Sequence, residues 1–432
     1  MSGSQLPSSQ ARRSLSSSSV LIDSVAVSVT TRKLPGASRT GDSTPTPVAC
    51  RSVQDDRLNA AFDAWVQAQT AALDVVRQAT EVPESETDLA EGYRWVTRLS
   101  RLALDWIVEG SDPLHPQIFT LQDEYKKLLV DNPDTHYLFC VLDDSRTYRM
   151  TGYRGECAYL GMTFGTAFGQ GQVRGRTGTQ TQTNIDEFEL GPNGEVDILI
   201  APADKMPDPQ PRNAVVLDPG TAQLAIRETH FDKRPEAFSR LRMELVPEPD
   251  EVVPPPLLSV DELAPKLEFA AMFLTFVGGT AMQMWRDAAP NINSFSGQAG
   301  SAHVAAQEDE VRTHTNAEMT YHGGRFKLAE DEALVVTVHA PDKPFLYWGL
   351  TLTSPWMESF DYRYTTTNLN NKRATQSGDG SWRLVIAPRN PGPHVDNWLD
   401  TGGRLEGYMI VRWILADGPP HPTAEVMKAA HL

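Results

Sequence analysis

Cysteine is scarce in this chain of 432 residues: Cys50, Cys140 and Cys157 are the whole complement. Three thiols without a C-x-x-C pair rule out a zinc ribbon or a thioredoxin-type motif, and they are too few for a disulfide framework. Positive charge is also short, with 39 Lys+Arg against 56 Asp+Glu and a formal net charge of −17. Nucleic acid and anionic membrane are therefore poor partners for the body, since both need a positive surface. No uncharged apolar run reaches the roughly 18 residues of an integral membrane span. Motifs of nucleophilic and phosphate chemistry are missing too. There is no G-x-S-x-G and no H-E-x-x-H, and the Gly-rich stretch 165–178 lacks the strand-to-helix context of a Walker loop or a dinucleotide fingerprint. These absences assign no reaction and no cofactor.

What is present favours a large folded body. Hydrophobic residues make up 40% and charged residues 22%, enough to bury a core, and the length suits two or three domains at roughly 150 residues each. Residues 1–50 stand apart, with 13 serines, five threonines, five basic residues and only two acids. Such a segment reads as a disordered tail or a misplaced start, because its low apolar content cannot offset the entropy of ordering. An acid-poor, Arg/Ser-rich transit segment is the alternative. The apolar run 20–29 is too short to anchor in a bilayer and too far from the initiator for a secretory segment, so a cytoplasmic location is expected.

Two amphipathic helices are expected in residues 51–130. Leu58, Phe62, Trp65, Val66, Ala72, Leu73 and Val76 share one helical face, interrupted by Gln69; Leu89, Tyr93, Val96, Leu99, Leu102, Trp106 and Ile107 share another. Pro83 separates the two, Ser85 is placed as a cap and Gly110 as a stop. Residues 131–246 then alternate with period two. Strands are expected at 136–142, 147–152, 158–164, 187–190, 196–200 and 222–229, with a hairpin turn at Gly191-Pro192-Asn193-Gly194. Residues 247–312 hold a stiff Pro-rich linker and a third helix, opened by the capping box Ser259-x-x-Glu262. That helix is apolar enough to be buried between domains, and Gly278-Gly279 should weaken or kink it. Residues 313–432 return to strands at 333–340, 345–352, 360–365, 382–387 and 407–415. No helices separate the strands to carry parallel crossovers, so the fold class is α+β, mainly β, with two antiparallel β-sandwiches, a helical hairpin and a buried interdomain helix.

The last hundred residues resemble the C-terminal module known as domain of unknown function 1214. The resemblance is carried by Phe345-Leu346-Tyr347-Trp348, Asn368 through Arg373, Asp379-Gly380-Ser381-Trp382, Asn397-Trp398-Leu399-Asp400-Thr401 and Arg412. Asp400 departs from the proline usual after Asn-Trp-Leu. The N-terminal half is similar to the module of unknown function 1254 that often accompanies it, through Glu91-Gly92-Tyr93-Arg94, Asn132-Pro133-Asp134, Thr147-Tyr148-Arg149 and Tyr153-Arg154-Gly155. The resemblance implies two jelly-roll-like sandwiches and no settled activity.

Arginines beside aromatics are the pattern with most chemistry in it. Arg149 and Arg154 each follow a tyrosine, Arg363 lies between Tyr362 and Tyr364, and Arg389 precedes Asn390-Pro391-Gly392-Pro393-His394, close to Asp396-Asn397-Trp398. Guanidinium forks bind carboxylate, sulfate or phosphate, while an indole or phenol covers the apolar remainder. The expected function is to bind or transform an amphipathic small molecule with an anionic or carbonyl head, where the sandwiches meet the third helix. Arg149, Arg154 and Arg389 would grip its head, and Trp348, Tyr364 and Trp398 would line the rest beside Asn397. If the ligand is transformed, His394 would carry the proton and Asp396 or Asp400 would serve as acid/base partner. A structural alternative pairs Arg149 with Asp144, puts Arg412 in an ion pair, makes Asn397 a turn-former and ties the Trp398 N–H to backbone.

Two other functions stay open. A metal-dependent hydrolase would draw on His314, Glu318 and His322, with His339, Asp342 and His394 nearby, but the spacing assigns no metal ligands. A non-catalytic interaction module would dock a partner on the apolar helix, and an oligomer is compatible with every reading. Cys140 and Cys157 sit in or beside strands and read as buried small hydrophobes.

Overall fold

Alanines and one tryptophan at helical spacing start the architecture. Ala61, Trp65, Ala68, Ala72 and Val76 form the buried face of helix α1 (Ser52–Gln78). The computed structural model describes residues 52–83, 85–165, 181–256, 258–296 and 318–432. The Ser/Thr-rich tail, the Arg174/Arg176 loop and His314 lie outside the described residues. Phe62 and Val66, expected on the buried face, are 54% and 46% exposed. The contact seam runs instead along the alanines, whose small side chains let α1 lie against α3 (Val260–Asp287). Helix α2 (Glu86–Ala103) starts where expected, with Ser85 Oγ accepting from the Asp88 N–H at 2.9 Å. It runs on through a π-helical stretch, Leu104–Glu109, which stops at Gly110. Leu89 and Tyr93 of the expected stripe are exposed; Trp95 takes the buried side and stacks on Trp356 at 5.6 Å.

The capping box at Ser259 and Glu262 opens α3 as read from the sequence. Gly278-Gly279 does not break the helix: α3 continues through both glycines. A Cβ on Gly278 would lie 3.7 Å from the Trp95 ring, an ordinary contact, and nothing lies within 4 Å of one on Gly279, so neither position requires glycine for packing. Phe273, Leu274, Val277, Ala281 and Trp285 of α3 are buried. That helix is long and apolar enough to cross a membrane by composition, and in this fold it is a core element.

The strands build two sandwiches. In the first, β1 (Phe119–Gln122), β2 (Thr135–Val141), β4 (Tyr159–Gly165), β5 (Thr181–Asn184) and β8 (Gln223–Thr229) pair in the order β1-β2-β8-β4-β5. The facing sheet contains β3 (Thr147–Tyr153), β6 (Glu195–Pro202), β7 (Ala214–Leu217) and β9 (Arg240–Val246) in the order β7-β6-β3-β9. Between them lies a core of Leu138, Met150, Met162, Phe164, Ile198 and Ile226. The second sandwich opposes β10 (Met319–Lys327), β12 (Tyr347–Thr353), β13 (Asn368–Asn370) and β16 (Glu406–Ile414) to β11 (Glu332–Val338), β14 (Trp382–Ala387), β15 (Trp398–Asp400) and β17 (Thr423–Lys428). Their orders are β10-β16-β12-β13 and β15-β14-β11-β17. Pairing is antiparallel except for β6 with β7 and β14 with β15. The fold is α+β and mainly β, with two sandwiches, as expected.

Some expected strands are replaced. Residues 187–190 finish a 3-10 turn and continue as coil, and residues 360–365 are turns. Strand β1 lies ahead of residue 131, where the sequence reading began the sandwich.

In one sheet of each sandwich the central strands are buried on both faces, which creates the seam between them. Every residue of β4 and β12 is buried, as are eight of nine in β16. Strands buried on both sides read as continuous apolar runs rather than alternating ones. The helical layer fills the space left over. Trp106 meets Phe139 of β2 edge-on at 4.7 Å and Phe273 of α3 at 5.3 Å, in one core with Tyr408 and Ile410 of β16.

Candidate functional site

Polar residues fasten the seam before any cavity opens in it. Asp134 accepts from the Tyr347 hydroxyl at 2.9 Å, from Asn370 Nδ2 at 3.0 Å and from Arg373 Nη2 at 2.8 Å. Asp131 accepts from the Ser359 N–H at 2.7 Å and the Ser359 hydroxyl at 2.6 Å. Lys127 Nζ, buried below Tyr362, donates to the carbonyls of Ser359 and Phe360 and to the Ser359 hydroxyl. Burial lowers the pKa of this ammonium, while the nearby Asp131 and Glu358 oppose the shift. Glu358 is wholly buried and bonded to Arg98 of α2 at 2.5 Å; desolvation raises its pKa to about 7.

Above this fastening lies a cavity of about 270 Å³. Strands β1, β2 and β8 wall it on one side and β10 and β16 on the other, with Trp106 and Met284 of α3 contributed by the helical layer. Leu121, Leu128, Phe139 and Ile410 make much of the wall apolar. Its polar atoms come from Gln122, Gln223, Tyr137, Tyr321, Tyr408, Arg227 and Arg412. Two guanidinium groups thus face a cavity whose lining includes no Asp or Glu, in a chain of net charge −17.

Arg412 is the more unusual of the two. It is 6% exposed, donates from Nη1 to Thr351 Oγ1 at 3.2 Å and from Nη2 to the Val130 carbonyl, and makes no ion pair among the described residues. A buried cation that touches no carboxylate relies on neutral acceptors and more distant charges to offset its desolvation. The sequence alternative that gave Arg412 an ion pair is therefore corrected. Arg227 Nη1 donates to Thr163 Oγ1 at 3.3 Å. Both arginines act on Tyr137: burial raises the pKa of its phenol, and Arg412 and Arg227 each pull it back down. Tyr408 is pushed up to about 12 by burial, again with Arg412 opposing. Tyr137 and Tyr408 are therefore neutral hydrogen-bonding groups at ordinary pH.

The segment beside Arg412 is strained. Leu129 and Val130, both in the cavity wall, have φ of 42° and 62°. A β-branched residue in the left-handed region is a steric outlier, and such strain persists where surrounding contacts over-determine it. Here Val130 is held by Arg412 on its carbonyl and by the Met357 carbonyl on its N–H, at 2.6 Å.

None of the seven ligand-binding residues expected from the sequence lines this cavity. Arg149 is exposed and pairs with Asp197, not with Asp144, whose carboxylate accepts from the Gly220 N–H. Arg154 pairs with Asp186 and donates to the Cys157 carbonyl, and exposed Arg389 pairs with Glu330. The three arginines are thus each neutralised separately, and the expected joint grip on one head group is not assembled. Trp348 is fully buried inside the second sandwich, 5.2 Å from Trp382, and Tyr364 is 80% exposed. Asn397 is buried and bonds Thr375 and the Arg383 carbonyl; the Trp398 N–H donates to the Ala387 carbonyl at 3.2 Å. Both follow the structural alternative. Asp396 and Trp398 do come together, in a separate open hollow on the second sandwich. Asp400 accepts from the Gly402 N–H at 2.7 Å, and exposed His394 packs on Gly392.

The expected metal set is not gathered either. Glu318 accepts from the Tyr159 hydroxyl and from Asn184 Nδ2 in the first sandwich. His322 lies four residues along, roughly 13 Å at strand rise, against the His421 ring at 4.9 Å. Among the described residues no group of three His, Cys, Asp or Glu is placed to hold a metal. The thiols of Cys140 and Cys157 are buried and pushed up to about 12 by desolvation, as expected of small core residues.

Residues 315–417 match the family described as Protein of unknown function (DUF1214). The DUF1214 module therefore supplies β10 to β16, and with them Tyr321, Tyr408, Ile410 and Arg412 of the cavity. The architecture recurs in the crystal structure of an uncharacterized protein from Burkholderia cenocepacia, 29% identical, with a TM-score of 0.77 over 88% of this chain and 100% of that one. The VPA0106 protein from Vibrio parahaemolyticus is 13% identical, covering 86% of this chain and 100% of its own with a TM-score of 0.45. No curated protein matches the chain. Sequence reasoning missed Arg227 and Tyr137, because only the pairing of β2 with β8 turns them toward the seam. Arg412 was visible as a motif residue, without a sign that it lacks a carboxylate.

Proposed function

We propose that the protein binds an amphipathic small molecule with an anionic head group in the cavity between the two sandwiches. The observation that carries this reading is the buried Arg412 guanidinium, without an acidic partner among the described residues, on the wall of an apolar cavity that it shares with Arg227. A carboxylate or sulfonate arriving there supplies the missing counter-charge, and the hydroxyls of Tyr137, Tyr321 and Tyr408 can orient it. Trp106, Phe139, Met284 and Ile410 would cover the apolar part. The reading is one of binding: no His, Cys, Asp, Glu, Ser, Thr or Lys lines the cavity, and burial keeps the phenols of Tyr137 and Tyr408 protonated, donors rather than bases. It keeps the ligand class expected from the sequence and moves the site to other residues.

We further propose that the N-terminal half is a module of the 1254 type. Support comes from Asn132 and Asp134, two residues of that resemblance, which bond Tyr347, Asn370 and Arg373 of the DUF1214 module across the seam.

A thermal-shift comparison of decanoate with decanol tests the ligand class. Stabilisation by decanoate alone supports the anionic head, and equal stabilisation by both, or by neither, contradicts it.

A further inference from the structure

A second hollow, of about 520 Å³, opens on the outer side of the DUF1214 module. It is lined by Thr366, Leu369, Asn390, Asp396 and Trp398, with Gly392, Pro393 and Val395 between them. Its chemistry is the reverse of the seam cavity: no Lys, Arg or His lines it, and one carboxylate does. The lining thus offers an anionic ligand no guanidinium or ammonium partner.

Hydrogen bonds fix the floor of the hollow. Trp398 opens the edge strand β15, packs on the outer face of the β14–β11 sheet, and is half-buried with its N–H tied to Ala387. Its neighbour Asn397 accepts from the Thr375 N–H at 2.7 Å and donates to the carbonyls of Thr375 at 2.7 Å and Arg383 at 3.0 Å. Asn397 is therefore a positioning residue for the indole. Around the ring stand hydrogen-bonding groups left for a ligand. Asp396 is exposed, and no group among the described residues bonds or pairs with its carboxylate. Asn390 accepts from the Gly392 N–H at 2.8 Å through Oδ1, and no group among the described residues accepts from its amide nitrogen. Thr366 adds an exposed hydroxyl.

We propose that this hollow binds a neutral saccharide, with a pyranose ring laid on Trp398. A pyranose has a C–H face that can cover an indole and a rim of hydroxyls that both donate and accept, so it is uncharged, half apolar and demanding in hydrogen bonds. Asp396 accepts from two ring hydroxyls, while Asn390 and Thr366 donate to others. Binding is the role, not hydrolysis. Glycoside cleavage generally uses two carboxyl groups roughly 5–9.5 Å apart across the bond, and Asp396 is the one carboxylate in this lining. Nothing in this proposal depends on the seam cavity.

Saturation-transfer NMR with the full chain and three probes, maltotriose, cellotriose and triacetylchitotriose, tests it. At least one probe should receive saturation at its C–H protons, with a Kd on the order of 1 mM. Trp398→Ala should abolish the transfer. Because Trp398 is partly packed, Asp396→Ala provides the second arm: the residue is exposed, the variant should melt like the parent, and affinity should fall about tenfold. Absence of transfer to all three probes, or transfer unchanged in Asp396→Ala, overturns the proposal.

Discussion

The Tyr347 hydroxyl donates to Asp134 Oδ2 at 2.9 Å and accepts from Asn132 Nδ2 at 3.2 Å, joining β12 of the second sandwich to the loop before β2 of the first. Removing that one oxygen leaves the Asn132 amide without its acceptor and takes a donor from a buried carboxylate. Tyr347→Phe should lower stability by about 1–3 kcal/mol, the cost of an unsatisfied buried polar group. The check is a urea midpoint that falls at unchanged slope. An unchanged midpoint would mean that the seam is held by its apolar contacts alone.

Glu358 makes stability fall as pH rises. Burial lifts its pKa from 4.5 to about 7 in the folded state. A carboxyl raised in this way gives stability fully present below its unfolded pKa and lost as pH climbs to the folded value. Between pH 4.5 and 7 the loss attributable to Glu358 is about 3 kcal/mol. Glu358→Gln has no proton to lose, so urea midpoints at pH 5 and pH 7.5 should differ less in the variant than in the parent. Identical pH profiles would contradict the assignment.

Glu228 works in the opposite sense. It is fully buried and held by His136 at 3.3 Å, His230 at 3.1 Å, and the Ser239 N–H and hydroxyl at 2.7 and 2.9 Å. Burial alone would raise its pKa, but the hydrogen bonds from His136, His230 and Ser239 outweigh it and bring the value down to about 2. Its stabilisation is present above pH 4.5 and disappears as pH falls toward 2, again about 3 kcal/mol. Acid titration followed by circular dichroism should show Glu228→Gln less stable than the parent at pH 6, with the gap closing near pH 2. A gap that stays constant with pH would rule out the ionised carboxylate as its source.

The sandwiches were legible in the sequence because most strands alternate or run apolar without a break, as at 147–152 and 382–387. What misled was burial on both faces. Phe62 and Val66 look like core residues beside Trp65, yet Ala61, Ala68 and Ala72 make the contact, because close helix packing rewards small residues over large ones. Gly278 and Gly279 read as a helix breaker, yet α3 stays helical through both.

The site was legible in kind and not in place. A guanidinium next to an aromatic in sequence says little, because neighbours along a strand point to opposite faces. Arg149 and Arg154 accordingly turn outward to Asp197 and Asp186. Arg412 and Arg227 converge only through the meeting of β16 with β8 across a seam that no local pattern records. Asn397 and Trp398 belong to the quoted motif, and their hydrogen bonds to Thr375, Arg383 and Ala387 explain the motif as a scaffold for the loop.

Calorimetric titration of decanoate into the parent, Arg412→Gln and Arg227→Gln tests the central claim most directly. The account predicts one site per chain in the parent, with affinity at least tenfold weaker in each folded variant, the loss expected on removing one charged hydrogen bond of about 1.5–3 kcal/mol. Binding of equal strength in all three proteins, or no binding by the parent, would contradict it.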